Sequence, residues 1–232
     1  MGIRRGPNII TDGLMFAVDA ANPDSYVSGS TIWKGQTVNQ NNGTLENGIG
    51  FIQPPISASC LTFDGVDDYV DLGIIKPTGA MTISMWLKGK STTANISTMG
   101  CMGNSGNRGY MLGVNSSNGW QMFIASTSAA YKYVGYTLTI DPTKWYHFVG
   151  VYSPSNYMRL FIDGVQVAET TSSIPSSQYV GNNLTTKIGQ RGDGFAYGLF
   201  DGNIANVKIY DQALSPTEVL QNYNALKTRF GL

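Results

Sequence analysis

The sequence predicts an all-β chain, an antiparallel β-sandwich with one short C-terminal helix, on three observations. Glycine is frequent (28 of 232 residues), only 13% of residues are charged, and Thr, Ser, Asn, Tyr and Val crowd the apolar stretches. From Leu61 onward, short alternating or continuous apolar runs recur between Gly, Asn and Ser punctuation. A helical pattern occurs once, at the C-terminal end. The length suits one large all-β domain better than two small ones. Residues 1–232 are therefore read as a single domain: an N-terminal strand and irregular edge segment at 1–58, a core sandwich at 61–214 and a helix at 215–228.

The elements follow in order. "GLMFAVDAA" is a strand, and the Ser/Gly/Asn-rich run from Asn22 to Gly50 is edge structure ending near "QPP" at 53–55. In "MTISMWLK", Met81, Ile83, Met85 and Leu87 alternate with Thr82, Ser84, Trp86 and Lys88, the period of a half-buried strand. "GYMLGV", "WQMFIAS" and "YKYVGYTLTI" supply further strands. "KWYHFVGVYS" is apolar on both faces, as a central strand requires. "MRLFIDGVQVAET" reads as a hairpin, because Asp163-Gly164 readily takes the positive φ values of a type I′ turn. "TKIGQ" and "NIANVKIYD" bring the expected total to about ten strands. In the helix, Ser215 is placed to cap, Pro216 to open the first turn and Glu218 to close a capping box. Val219, Leu220, Tyr223 and Leu226 then form the face that docks on a sheet.

Charge and composition exclude several function classes. Fifteen basic residues balance fifteen acidic ones, so no long-range field draws in nucleic acid or an anionic membrane, and neither is expected as a partner. No run approaches the length of a membrane span. No signal peptide is recognised after Arg4 and Arg5, and the myristoylation pattern fails at Gly6, so synthesis and retention in a cytoplasm are expected. Cys60 and Cys101 form no CxxC pair and read as buried thiols. Four N-x-[ST] sequons, Asn95-Ile96-Ser97 among them, carry no weight without a secretory route.

The residues that suggest chemistry have competing structural readings. "LTFDGVDDYVDLG" places Asp64, Asp67, Asp68 and Asp71 close together. As hard oxygen donors they suit calcium, but an EF-hand fails because Ile75 stands where a bidentate glutamate is needed. As turn formers they accept backbone N–H bonds, which accounts for the residue types without a metal. The preferred expectation is no cofactor; if calcium is bound, Asp64, Asp67 and Asp201 are its candidates. His147, the single histidine, lies in an apolar strand and reads as scaffold, with no nucleophile-elbow motif in the chain. For glycans, Trp120 and the pair Tyr131 and Tyr133, on one strand face, are candidates for stacking on sugar rings. "RGDGFAY" adds Arg191, Asp193 and Tyr197 in a rim loop.

The segments "LTFDGVDDYVDLG", "MTISMWLK", "KWYHFVGVYSPSNYMRLFIDGVQV" and "FDGNIANVKIYDQALSPTEV", in this order, resemble the laminin G-like branch of the concanavalin A-like lectin/glucanase superfamily. The resemblance implies a jelly-roll sandwich of two antiparallel sheets. The glucanases of that superfamily use an E-x-D-x-x-E strand; this chain has three glutamates, Glu46, Glu169 and Glu218, and none lies in such a motif. No catalytic residue and no enzymatic activity are therefore expected. Where related domains bind calcium, acidic residues come from an N-terminal loop and the last strand. Here Lys34, Ala205 and Asn206 stand at those places, which argues against a metal.

The flanks "GPNIITDGLMFAVDAANPDSY" and "LQNYNALKTRFGL" resemble laminin G-like proteins of tailed bacteriophages, marine and cyanobacterial phages in particular. That resemblance implies a virion structural protein, a capsid decoration or head fibre. Its expected partners are capsid or fibre subunits, copies of itself in a homo-oligomer, and surface polysaccharide. The alternative is a lectin-like adhesin module of a tail fibre or a bacterial protein. A glucanase relative is the disfavoured third.

Overall fold

The computed structural model describes residues 7–39, 41–53, 58–89, 96–104, 106–114, 119–195 and 198–232. Sixteen strands are present among them. In chain order they are β1 (Leu14–Asp19), β2 (Ile32–Trp33), β3 (Gly43–Glu46), β4 (Gly50–Ile52), β5 (Cys60–Asp64) and β6 (Tyr69–Asp71). Next come β7 (Met81–Gly89), β8 (Ile96–Gly100), β9 (Tyr110–Val114), β10 (Gly119–Ala125) and β11 (Tyr131–Thr137). Then follow β12 (Tyr146–Ser153), β13 (Tyr157–Ile162), β14 (Val165–Thr170), β15 (Lys187–Ile188) and β16 (Asp201–Tyr210). Helix α1 (Pro216–Leu226) runs into a 3₁₀ turn at Lys227–Phe230. No helix among the described residues is long and apolar enough to cross a membrane.

The strands form two antiparallel sheets of eight. The first has the order β14-β13-β12-β7-β16-β5-β4, and β1 also pairs with β16. The long strand β16 accommodates two partners on one edge: Asp201–Ile204 pair with β5, and Asn206–Tyr210 pair with β1. The second sheet has the order β11-β10-β9-β8-β15-β6-β3-β2. The aspartate-rich segment is the corner between them, since β5 belongs to the first sheet and β6 to the second. The count exceeds the expected ten because the segment from Asn22 to Gly50 contributes short edge strands to both sheets.

Between the sheets lies the main core, in which Met81, Ile83, Met85 and Leu87 meet Leu112, Trp120, Met122 and Phe148. Each such side chain contributes about 1.5–3 kcal/mol by leaving water. The outer face of the first sheet is also covered. Helix α1 and its 3₁₀ extension lay Val219, Tyr223, Leu226 and Phe230 over Trp86, Val149, Val151, Ala205 and Tyr210. That cover explains why β7, read from its alternation as half-buried, has Thr82, Ser84 and Trp86 buried as well. It also explains why β12 is buried along nearly its whole length.

The local signals at the helix and the hairpin match their geometry. Ser215 Oγ accepts from Glu218 N, and the Glu218 carboxylate accepts from Ser215 N at 2.7 Å, a complete capping box. Leu220 departs from the expected apolar face and stays largely exposed, while Asn222 is buried in its stead. Asn222 earns that place through hydrogen bonds: its Oδ1 accepts from Ile10 N at 2.8 Å and its Nδ2 donates to Tyr210 Oη at 3.1 Å. The β13–β14 hairpin turns at Asp163 (φ 51°) and Gly164 (φ 78°), both in the left-handed region that a type I′ turn demands.

Candidate functional site

Strand β10 sorts its side chains by parity. Trp120, Met122 and Ile124 point into the core with no exposed surface, so Gln121 and Phe123 must face outward. The antiparallel register sets Phe123 opposite Tyr133 on β11 and Met111 on β9, and Ala125 opposite Tyr131. Three rings therefore cluster on the outer face of the second sheet: Phe123 lies 5.3 Å from Tyr131 and 5.5 Å from Tyr133, centroid to centroid. Tyr131 is 43% exposed and Tyr133 50%, so the cluster presents aromatic surface to solvent. Gln121 sits between Gly113 and Gly135, neither of which has a side chain to cover it. A Cβ at Gly113 would stand 2.3 Å from the Ile96 carbonyl oxygen, so this close strand approach requires glycine.

Beside the rings opens a cleft of about 320 Å³, small for a ligand pocket. Its walls include Ser97, Asn104, Arg108, Met111, Gln121, Phe123, Tyr131 and Arg191. The Arg108 guanidinium lies over the Tyr131 ring, 4.3 Å from its centroid. Arg191 is locked at the rim: it donates to Asp193 through Nη2 at 2.6 Å and Nε at 3.2 Å, and to Asn104 Oδ1 at 2.9 Å. Asn104 N returns a bond to Asp193 Oδ2 at 3.2 Å, tying the two rim loops together. Ser97 Oγ and Arg108 Nε are buried with no hydrogen-bond partner among the described residues. A second groove continues past Tyr131 and Tyr133 toward Lys132, Glu169 and Thr170.

Of the residues expected to bind glycan, Tyr131, Tyr133, Arg191 and Asp193 gather at this cleft and its rim. Trp120 does not. It is wholly buried, packs edge-on against Phe148 at 4.5 Å and donates from Nε1 to Leu138 O at 3.0 Å. The reason is parity, since Trp120 is one residue out of step with Gln121 and Phe123. Tyr197 lies outside the described residues. The sequence reading missed Phe123, Gln121, Arg108 and Ser97. Alternation within "WQMFIAS" carried the signal for the first two; the others meet the cleft only through strand pairing and a loop.

The acidic corner is a turn held by its own carboxylates. Asp64 Oδ1 accepts from Val66 N at 2.8 Å and Asp67 N at 3.4 Å, and Asp68 Oδ2 accepts from Asp64 N at 3.0 Å. Backbone donors, the Val66 N–H first, hold the Asp64 carboxyl below its ordinary range, whereas burial pushes that of Asp68 up. The carboxylates that converge, within 4.8 Å, are Asp64, Asp67 and Asp68, with Asp68 in the place expected for Asp201. On β16, Asn206 Nδ2 donates to Asp19 Oδ2 at 3.0 Å, and Asp19 receives both its oxygens' bonds from Arg229 Nη1 at 2.7 Å. Lys208 joins this group through Asn206, and burial lowers its ammonium to about 8.

His147 Nε2 and Ser84 Oγ are hydrogen-bonded at 2.9 Å beneath a stack of Trp86, Tyr223 and Phe230. The pair is closed to solvent, and burial, helped by the Lys208 charge, lowers His147 to about 3. Glu169 pairs with Arg159 at 2.5 Å and Glu218 caps the helix, so both have structural partners.

Comparison with solved structures returns the same sandwich at low identity. The binding domain of Paraclostridial Mosquitocidal Protein 1 matches with a TM-score of 0.70 and 15% identity, over 92% of this chain and 52% of that one. The binding domain of Botulinum Neurotoxin DC in complex with SialylT matches with 0.70 and 12%, over 93% and 52%. The chain thus spans about half the length of those two. Domain 4 of AbnA, an extracellular arabinanase from Geobacillus stearothermophilus, in complex with arabinotriose, matches with 0.65 and 16%, over 90% and 98%. No curated protein sequence matches the chain. The family model described as "Concanavalin A-like lectin/glucanases superfamily" matches residues 64–220, and on that match over most of its length the chain belongs to this superfamily.

Proposed function

We propose that the chain is a non-enzymatic, lectin-like module that binds glycan at the outer face of the second sheet. The observation that carries this reading is the Phe123–Tyr131–Tyr133 cluster beside a polar cleft. Aromatic faces stack on the C–H faces of sugar rings, while amide, hydroxyl and guanidinium groups fix the sugar's hydroxyls. Two structures of the same fold support it: one holds arabinotriose and the other SialylT. A glycan array probed with the full chain tests the reading. Tyr133→Ala should weaken any retained glycan about tenfold, roughly 1.4 kcal/mol. Tyr136→Ala, on the same strand and one residue out of phase with the Tyr131/Tyr133 face, should leave binding unchanged. An array with no retained glycan, or equal effects of the two changes, overturns the reading.

The setting we propose is a virion surface, where a decoration or fibre protein displays this module in homo-oligomeric form. The resemblance of the two flanking segments to tailed-phage proteins supports that setting. Immunogold label absent from the particles would sink it.

A further inference from the structure

We propose that the cleft selects acidic glycans, sugars carrying a carboxylate or a sulfate ester, with Arg108 as the selecting residue. The inference rests on the glycan-binding reading of the same site and names its ligand class. Two guanidinium groups line the cleft, and no carboxylate does. They are not equivalent. The charge of Arg191 is answered by Asp193 at 2.6 Å, whereas no ion pair or side-chain hydrogen bond among the described residues involves Arg108. The lining is therefore left with one uncompensated positive charge in a chain of zero net charge.

Arg108 is also held in place for this task. Its backbone N donates to Ser128 O at 3.3 Å, its carbonyl accepts from Asn182 Nδ2 at 2.6 Å, and its guanidinium rests on the Tyr131 ring. Stacking leaves the guanidinium edge available, yet its Nε is buried without an acceptor. Ser97, 1% exposed, offers a second unpartnered polar atom to the same cleft. Buried donors are nearly always satisfied, and a ligand oxygen in the cleft would supply an acceptor that no described residue provides. An anionic oxygen meets Arg108 with a charge-assisted bond, stronger than the one a neutral hydroxyl makes. The sugar ring that carries the acid is then within reach of the exposed part of Tyr131.

The test is calorimetric titration of the full chain with matched pairs: oligogalacturonate against its methyl ester, and a sulfated galactan oligosaccharide against its desulfated form. The expected result is at least tenfold tighter binding of the acidic member in one arm; the arm with the larger ratio identifies the acid. Arg108→Gln should abolish that preference while leaving weak binding of the neutral member. Arg108→Lys, which keeps the charge, should retain part of it and guards against a folding defect in the first variant. Equal binding of both members, or a preference that survives Arg108→Gln, overturns the acidic assignment and leaves the lectin reading standing. Binding of neither member, with an empty glycan array, overturns both.

Discussion

His147 makes the stability of this protein depend on pH in a way that one residue controls. It is the only histidine in the chain, so no other side chain ordinarily titrates between pH 5 and 7 in the unfolded state. In the fold it is buried against Trp86 and Tyr223, and burial with the nearby Lys208 charge lowers it to about 3. Unfolded, it titrates near ~6.5. Between those values the unfolded chain binds the extra proton and the folded chain does not, so stability falls as pH falls. The loss begins near pH ~6.5 and grows by up to about 1.4 kcal/mol per pH unit until the folded pKa is reached. From pH 7 to pH 5 that amounts to about 2 kcal/mol. Urea unfolding followed by tryptophan fluorescence at pH 7, 6 and 5 measures it directly. His147→Gln should be less stable at pH 7 and should lack this loss of stability down to pH 5. Asp163, raised by burial and accepting from His147 N, acts in the opposite sense in both proteins and cancels in the comparison. A wild-type midpoint that does not move from pH 7 to pH 5, or an equal slope in the variant, refutes the buried-neutral account of His147.

Two further changes probe the C-terminal cover and the acidic corner. Phe230 lies face to face with Trp86 at 4.1 Å and is 8% exposed, so Phe230→Ala should destabilise by about 3 kcal/mol, the low end for such a cavity because the ring keeps some exposure. A loss under about 1 kcal/mol by urea denaturation would show that the 3₁₀ segment is not part of the fold's stability. At the corner, Asp64→Asn keeps the oxygen that accepts from Val66 N and should leave Tm unchanged, while Asp64→Ala should lower it. Millimolar calcium should leave the Tm of the native chain unmoved; a saturable rise would show that the three aspartates hold an ion as well as a turn.

The sequence was most informative where a feature depends on near neighbours. The capping box at Ser215–Glu218, the Asp163-Gly164 hairpin and the Asx bonds of Asp64 span four residues or fewer, and each formed as its residue types dictate. Tyr131 and Tyr133 were legible as one face because alternation along a strand is local. Trp120 was misplaced because residue type alone was weighed, without the phase of its own strand against Phe123.

What the sequence by itself determined is the all-β class, the corner at residues 64–68, the capped terminal helix and two of the three rings of the aromatic platform. Only the tertiary structure decided which faces meet. Helix α1 covers the outer face of the first sheet, and so Ser84 and Trp86, which alternation alone would leave to solvent, became interior. On the opposite sheet no helix among the described residues covers the outer face, where Tyr131 and Tyr133 pack on Phe123, and the loop at Arg108 and the distant rim at Arg191 line a cleft beside it. Periodicity records which side chains share a face. It carries no record of what that face will pack against, because that depends on contacts between residues far apart in the chain, and those contacts made one face of this sandwich core and left the other open with a cleft.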